Sequence, residues 1–121
     1  LISNGLQEAE VILKSEAVLI AHRGLQPEQR RILDDLNFRI RSVLQGRNYK
    51  YILLNAPNDA LPAITAMLPG IKSPTIMPLQ EPGWSSLHSV VQESAFWEII
   101  GNLRAAGAQG ILVLPIEKII Q

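Results

Sequence analysis

Side chains able to do chemistry are few in this chain and widely spaced. Its two histidines, His22 and His88, stand far apart, and there are no cysteines. The missing cysteines remove disulfides, thiolate nucleophiles and thiolate metal ligands in one step. The histidines have neither the His-x-x-x-His nor the His-Glu-x-x-His spacing of a helix-borne metal site. Serines are plentiful, yet no Gly-x-Ser-x-Gly elbow presents one as a nucleophile. Neither of the two common glycine-rich phosphate loops occurs. The carboxylate pairs Glu8/Glu10 and Asp34/Asp35 read as surface charge. His88 falls within an alternating stretch and reads as a packed or interface histidine rather than a general base. No catalytic residue is assigned from these residue types, and no metal ligand.

Turns are the more specialised segments. Gly70-Ile71-Lys72-Ser73-Pro74-Thr75 places two hydroxyls beside the start of a strand. Hydroxyls together with free strand-end amides suit a small zwitterion or a carboxylate. The competing reading is a plain turn in which Ser73 and Thr75 satisfy local backbone groups. Asn55-Ala56-Pro57-Asn58 ends a neighbouring strand, and Gly110 permits close approach of a backbone or ligand at the entry to another.

Composition bounds the rest. The 121 residues fit one domain, or one domain with an appendage. Apolar residues make up 47% and charged residues 18%, which is enough to build a core. Eleven basic residues balance eleven acidic ones, against a general binder of nucleic acid or anionic membrane. No apolar run reaches the roughly 18–20 residues of a membrane span, and no signal peptide is expected, because the first residues lack a basic stretch followed by an apolar one. A cytoplasmic location is expected.

The elements that must position these turns follow from periodicity. Val11-Ile12-Leu13 and Val18-Leu19-Ile20 predict two short strands, or one bent strand, within 8–22; a helix is the alternative. Pro27 opens a helix over 27–45 that Gly46 closes, with Ile32, Leu33, Leu36, Ile40, Val43 and Leu44 on one face. From Tyr49 the pattern becomes regular: a strand at 51–54, then a short helix capped by Asn58 or Asp59 and stopped by Pro69-Gly70. A strand over 75–79 and another over 84–91 follow. Ser94 is expected to cap a helix running to Arg104, with Phe96, Trp97, Ile99, Ile100 and Leu103 as its apolar set and Gly107 at its end. A last strand covers 110–114. The order β-α-β-β-α-β predicts an α+β, ferredoxin-like domain with a four-stranded antiparallel sheet and both helices on one face. The other face is expected to be covered by another subunit or by the 27–45 helix.

Several strings closely resemble the C-terminal regulatory domain of the long form of ATP phosphoribosyltransferase. They are Lys50-Tyr51-Ile52-Leu53-Leu54-Asn55-Ala56-Pro57, Gly70-Ile71-Lys72-Ser73-Pro74-Thr75, Ala95-Phe96-Trp97 and Gly110-Ile111-Leu112-Val113-Leu114-Pro115-Ile116-Glu117-Lys118. Leu1-Ile2-Ser3-Asn4-Gly5-Leu6 is similar to the end of that family's catalytic part. The resemblance implies a division into 1–46, the end of the catalytic region with its connecting helix, and 47–121, the regulatory domain. It implies a parent enzyme that joins ATP to phosphoribosyl diphosphate with Mg²⁺ in the first step of histidine biosynthesis. The parent's diphosphate-binding loop is expected upstream of Leu1, so the chain alone is expected to be inactive. It further implies feedback inhibition by L-histidine bound between neighbouring domains of a homohexamer. On that reading Ser73 and Thr75 bind the effector, Ile71 and Val90 wall the site, and Asn55 and Gly110 complete it. Asn55 stands where some relatives carry Asp. Two alternatives remain at this point: an amino-acid sensor attached to another enzyme, and a purely oligomerising module.

Overall fold

A computed structural model describes residues 5–68 and 71–121. The readings placed on Leu1 to Asn4 and on the Pro69-Gly70 helix stop lie outside the described residues. The chain runs through helix α1 (Pro27–Asn48), strand β1 (Tyr49–Pro57), a 3₁₀ turn (Asn58–Ala60) and helix α2 (Leu61–Met67). Strands β2 (Thr75–Pro78) and β3 (Trp84–Gln92), helix α3 (Glu93–Ala105) and strand β4 (Gln109–Pro115) complete it. The four strands form one antiparallel sheet in the order β2-β3-β1-β4, which is the expected ferredoxin-like arrangement preceded by a helix.

Alternation along the strands decides what each sheet face becomes. Ile52, Leu54 and Ala56 of β1 are fully buried, as are Leu87 and Val91 of β3. They pack with Ile64 and Leu68 at α2 and with Phe96 and Leu103 of α3. Each Val, Leu, Ile or Phe side chain among them contributes about 1.5–3 kcal/mol by leaving water. The intervening positions, Tyr51, Leu53 and Asn55 on β1 with His88 and Val90 on β3, turn to the opposite face and stay half-exposed.

Four local expectations change. Residues 6–22 carry no strand; Ile12, Leu13 and Ile20 are 83–96% exposed. A β-rich segment becomes a strand only when another backbone completes its ladder, and none of the described strands pairs with it. Asn58 does not cap α2, because its side-chain oxygen accepts a 2.6 Å hydrogen bond from the Ser85 hydroxyl. Ser85 is buried and needs that partner, so α2 begins after Ala60 with no side-chain cap. Ser94 lies inside the first turn of α3, since β3 passes directly into the helix at Gln92. Trp97, expected in the apolar set of α3, points outward and meets Phe96 edge-on at 5.3 Å.

Helix α1 differs most. Of its apolar stripe, Ile32, Leu36, Ile40 and Leu44 are 40–66% exposed and Leu33 and Val43 half-buried, and its buried positions are Ser42 and Gly46. These seat the C-terminal tail: Ile119 N–H donates to the Ser42 carbonyl at 2.9 Å, and the Ser42 hydroxyl donates to the Phe38 carbonyl at 2.8 Å. The helix therefore does not cover the open sheet face, where Leu112 and Leu114 stay 44–56% exposed. Gly46, expected to end the helix, lies within it. A Cβ there would come 2.7–2.8 Å from backbone atoms of Ile116 and Glu117. Glycine is needed for close approach rather than for a helix stop.

Two substitutions separate these roles. Gly46→Ala gains helix propensity yet must push backbone away, so a net loss of roughly 1–3 kcal/mol is expected in chemical denaturation. Gly101→Ala, in α3 with open space around the added methyl, is expected to gain about 0.5–1 kcal/mol. Equal effects at the two positions would refute the close-approach account.

Candidate functional site

The short edge strand β2 enters the sheet directly after the Ser73-Pro74-Thr75 turn, and its pairing with β3 fixes where those hydroxyls stand. Thr75 lies opposite His88, and Met77 opposite Ser86. On the other side of β3, Tyr51 lies opposite Val90, Leu53 opposite His88 and Asn55 opposite Ser86. Edge turn, β3 and β1 thus bound a concavity of about 240 Å³ on the open face. Four of the six residues named from sequence line it: Ile71, Ser73, Thr75 and Val90. Tyr51, Lys72, His88 and Ser89 line it as well.

Asn55 and Gly110 do not line this concavity. They adjoin one another across the β1–β4 pair, where the register shifts between Leu53 and Asn55. A Cβ on Gly110 would stand 3.9 Å from the Asn55 side-chain nitrogen. Gly110 has φ +56°, the left-handed region that favours glycine. The candidate residues therefore form two clusters on one chain, Ile71/Ser73/Thr75/Val90 and Asn55/Gly110. A wider concavity of about 840 Å³ between α3 and β4 includes Gly110 but none of the other five. One of about 540 Å³ between α1 and the tail includes none.

Tyr51, Lys72, His88 and Ser89 are not assigned to the site from sequence, and Tyr51 and His88 are bonded to each other. The Tyr51 hydroxyl and His88 Nδ1 are 2.6 Å apart, and the Ser86 hydroxyl and His88 Nε2 are 3.0 Å apart. The two rings meet edge to face at 5.8 Å. Alternation already places Ser86, His88 and Val90 on one face. Bringing Tyr51 to them requires the β1–β3 register, which no local pattern supplies.

In charge the concavity is one-sided. Among the eight described residues that line it, Lys72 is the one Lys, Arg, Asp or Glu, so none is a carboxylate. With two hydroxyls from the turn and the Tyr51 hydroxyl, the donors suit an anionic or acceptor-rich end of a small molecule. Asn55, in the other cluster, can hydrogen-bond a cationic group but cannot neutralise it. Among the described residues no three His, Asp or Glu side chains cluster to hold a metal ion.

Comparison with known proteins now bears on this geometry. The family described as "HisG, C-terminal domain" matches residues 46–118. The chain belongs to this family. It is 60% identical over 121 residues to an ATP phosphoribosyltransferase of Cytophaga hutchinsonii, all of this chain and 42% of that protein. It is 55% identical over 120 residues to proteins of the same name in Phocaeicola vulgatus and Bacteroides fragilis, again 42% of their length. The chain thus spans about 42% of the curated relatives it matches. The likeness extends through residues 5–45, upstream of the family match, so the sequence likeness of that segment is not accidental. Among the described residues no helix is long and apolar enough to cross a membrane.

Backbone strain at Gly110 gives a direct check. Replacing it by Ala meets no clash in space but forces an L-residue into the left-handed region. A cost of about 1–2 kcal/mol is expected in thermal unfolding, with a smaller cost for Gly110→Asn, which visits that region more readily. Equal costs for the two would place the constraint elsewhere.

Proposed function

We propose that this chain is the regulatory portion of an ATP phosphoribosyltransferase of the long form, which binds L-histidine and supports assembly of a homohexamer. The parent protein joins ATP to phosphoribosyl diphosphate, giving phosphoribosyl-ATP and diphosphate, in the cytoplasm. Residues 1–46 close its catalytic region and 47–121 form the regulatory domain. Mg²⁺ serves the parent reaction with diphosphate; no group of three described His, Asp or Glu residues fits it here, and no step in this reading passes through the ion.

The observation that carries the reading is the gathering of Ile71, Ser73, Thr75 and Val90 around one small concavity on the open sheet face, while Asn55 and Gly110 form a second cluster. Two clusters on one chain suit an effector held between two copies, each contributing one cluster. The exposed apolar residues of that face, Leu112 at 56% and Leu114 at 44%, suit burial by the neighbour. Histidine meets the donors it needs: its carboxylate at the Lys72 side with the Ser73 and Thr75 hydroxyls, its cationic end at Asn55. Inhibition then follows by population shift, as the effector favours the assembly in which the two clusters face each other. The phosphoribosyl transfer itself belongs to the longer protein, and the chain by itself is inactive.

Calorimetric titration of L-histidine into this chain, with its oligomeric state read by light scattering in the same buffer, tests the proposal. Saturable binding by an oligomer is expected. An oligomer that takes up no histidine would leave a purely oligomerising module. In the full-length enzyme, Ser73→Ala with Thr75→Ala should abolish inhibition by histidine and leave uninhibited turnover nearly unchanged. Asn55→Asp should tighten histidine binding about tenfold, the scale of replacing a neutral hydrogen bond by a charge-assisted one.

A further inference from the structure

The chain of hydrogen bonds behind the concavity has a direction that a ligand can set. His88 uses both ring nitrogens inside the protein, Nδ1 with the Tyr51 hydroxyl at 2.6 Å and Nε2 with the Ser86 hydroxyl at 3.0 Å. A neutral imidazole donates from one nitrogen and accepts at the other. Two arrangements therefore satisfy the same positions. In one, Tyr51 donates to Nδ1 and Nε2–H donates to Ser86, leaving the Ser86 proton to point onward. In the other, Nδ1–H donates to the Tyr51 oxygen, Ser86 donates to Nε2, and the Tyr51 proton is released toward the concavity. The ring passes between them by giving one proton to water and taking one at the other nitrogen, while the two hydroxyls rotate.

The ends of this chain lie at different places. Tyr51 lines the concavity beside Thr75 and Lys72. Ser86 is buried and stands opposite Asn55 in the sheet register. We propose that His88 is a positioning residue whose tautomer is selected by the ligand: an acceptor bound in the concavity accepts a hydrogen bond from the Tyr51 hydroxyl, fixes the proton of His88 on Nδ1 and turns the Ser86 hydroxyl away from Asn55. The Tyr51–His88–Ser86 chain thereby joins the two clusters that the sheet holds apart on one subunit. A carboxylate suits that role, because Lys72 is the one Lys, Arg, Asp or Glu among the described residues that line the concavity. This inference rests on the proposed function for the identity of that carboxylate compound.

The test observes the ring directly. The chain is prepared with ¹⁵N-labelled histidine and the exposed His22 replaced, His22→Gln, so that a single imidazole reports. Unlabelled L-histidine is added while calorimetry follows saturation. At saturation, long-range ¹⁵N–¹H correlation should show the proton of His88 on Nδ1. Tyr51→Phe, which keeps the ring and its packing, should weaken binding about tenfold, the scale of one hydrogen bond to a charged group, and should free the tautomer from the ligand. A saturated complex with the proton on Nε2 would overturn the tautomer selection while leaving histidine as the effector. Undiminished affinity in Tyr51→Phe would do the same. No binding by the assembled, unsubstituted chain would overturn the effector reading and this inference with it.

Discussion

Antiparallel pairing of β1 with β3, from Tyr49 opposite Gln92 to Pro57 opposite Trp84, is the constraint on which the other features depend. Side chains alternate across a strand, so this register decides at every position whether a residue enters the core or reaches the open face. It sends Ile52, Leu54, Leu87 and Val91 beneath α2 and α3, and Tyr51, Asn55, Ser86 and His88 to the other side. A slip of one residue would expose that core set and bury a tyrosine, an asparagine and a histidine without their partners. Unpaired buried polar groups cost about 1–3 kcal/mol each, so the hydrophobic and polar halves of the sheet enforce the same register. Ser85, on the core side, follows the same logic through its bond to Asn58.

The sheet itself was legible because each strand is short, alternating or β-rich, and bounded by Pro or Gly. Glu81-Pro82-Gly83 turns between β2 and β3, with Gly83 at φ +82°, and Gly107 ends α3 as expected, at φ +108°. What failed to read correctly depends on contacts remote in sequence. Gly46 carries the local signature of a helix end, yet the tail at Ile116 and Glu117 is what demands a glycine there. Val11 to Leu13 and Val18 to Ile20 carry the composition of strands, but composition provides no partner backbone. Asn58 and Ser94 are good caps by residue type; one is engaged by Ser85 and the other is overtaken by a strand that runs into its helix.

Legibility of the candidate site divides along the same line. Ser73 and Thr75 stand out locally, as hydroxyls beside a strand start, and Gly110 as a close-approach position, whereas Ile71, Val90 and Asn55 are assigned through family resemblance rather than periodicity. Geometry then separates Asn55 and Gly110 from the others, which no linear pattern distinguishes. Tyr51 and His88 meet across 37 positions of sequence, and only the strand register brings phenol and imidazole together. His88 reads from sequence as a packed histidine, and its saturation by Tyr51 and Ser86 agrees with that reading. The same saturation is what limits the neutral ring to two proton arrangements.

Size bears on how such a site works. Pockets that hold small molecules generally enclose about 300–1,000 Å³ and bury most of the ligand. The concavity here is about 240 Å³, with Ile71, Ser73 and Thr75 of its rim exposed. A ligand seated in it would keep one side in water and gain only part of the available burial. Affinity would rise when a second surface closes over that side, so ligand and closure would favour each other by linkage. The open face around the rim is well suited to this, being apolar at Leu112 and Leu114 and polar at Asn55. On the proposed reading, a small, one-sided concavity beside an exposed apolar face would make occupancy depend on assembly, and such dependence would turn a weak binding site into a regulatory one.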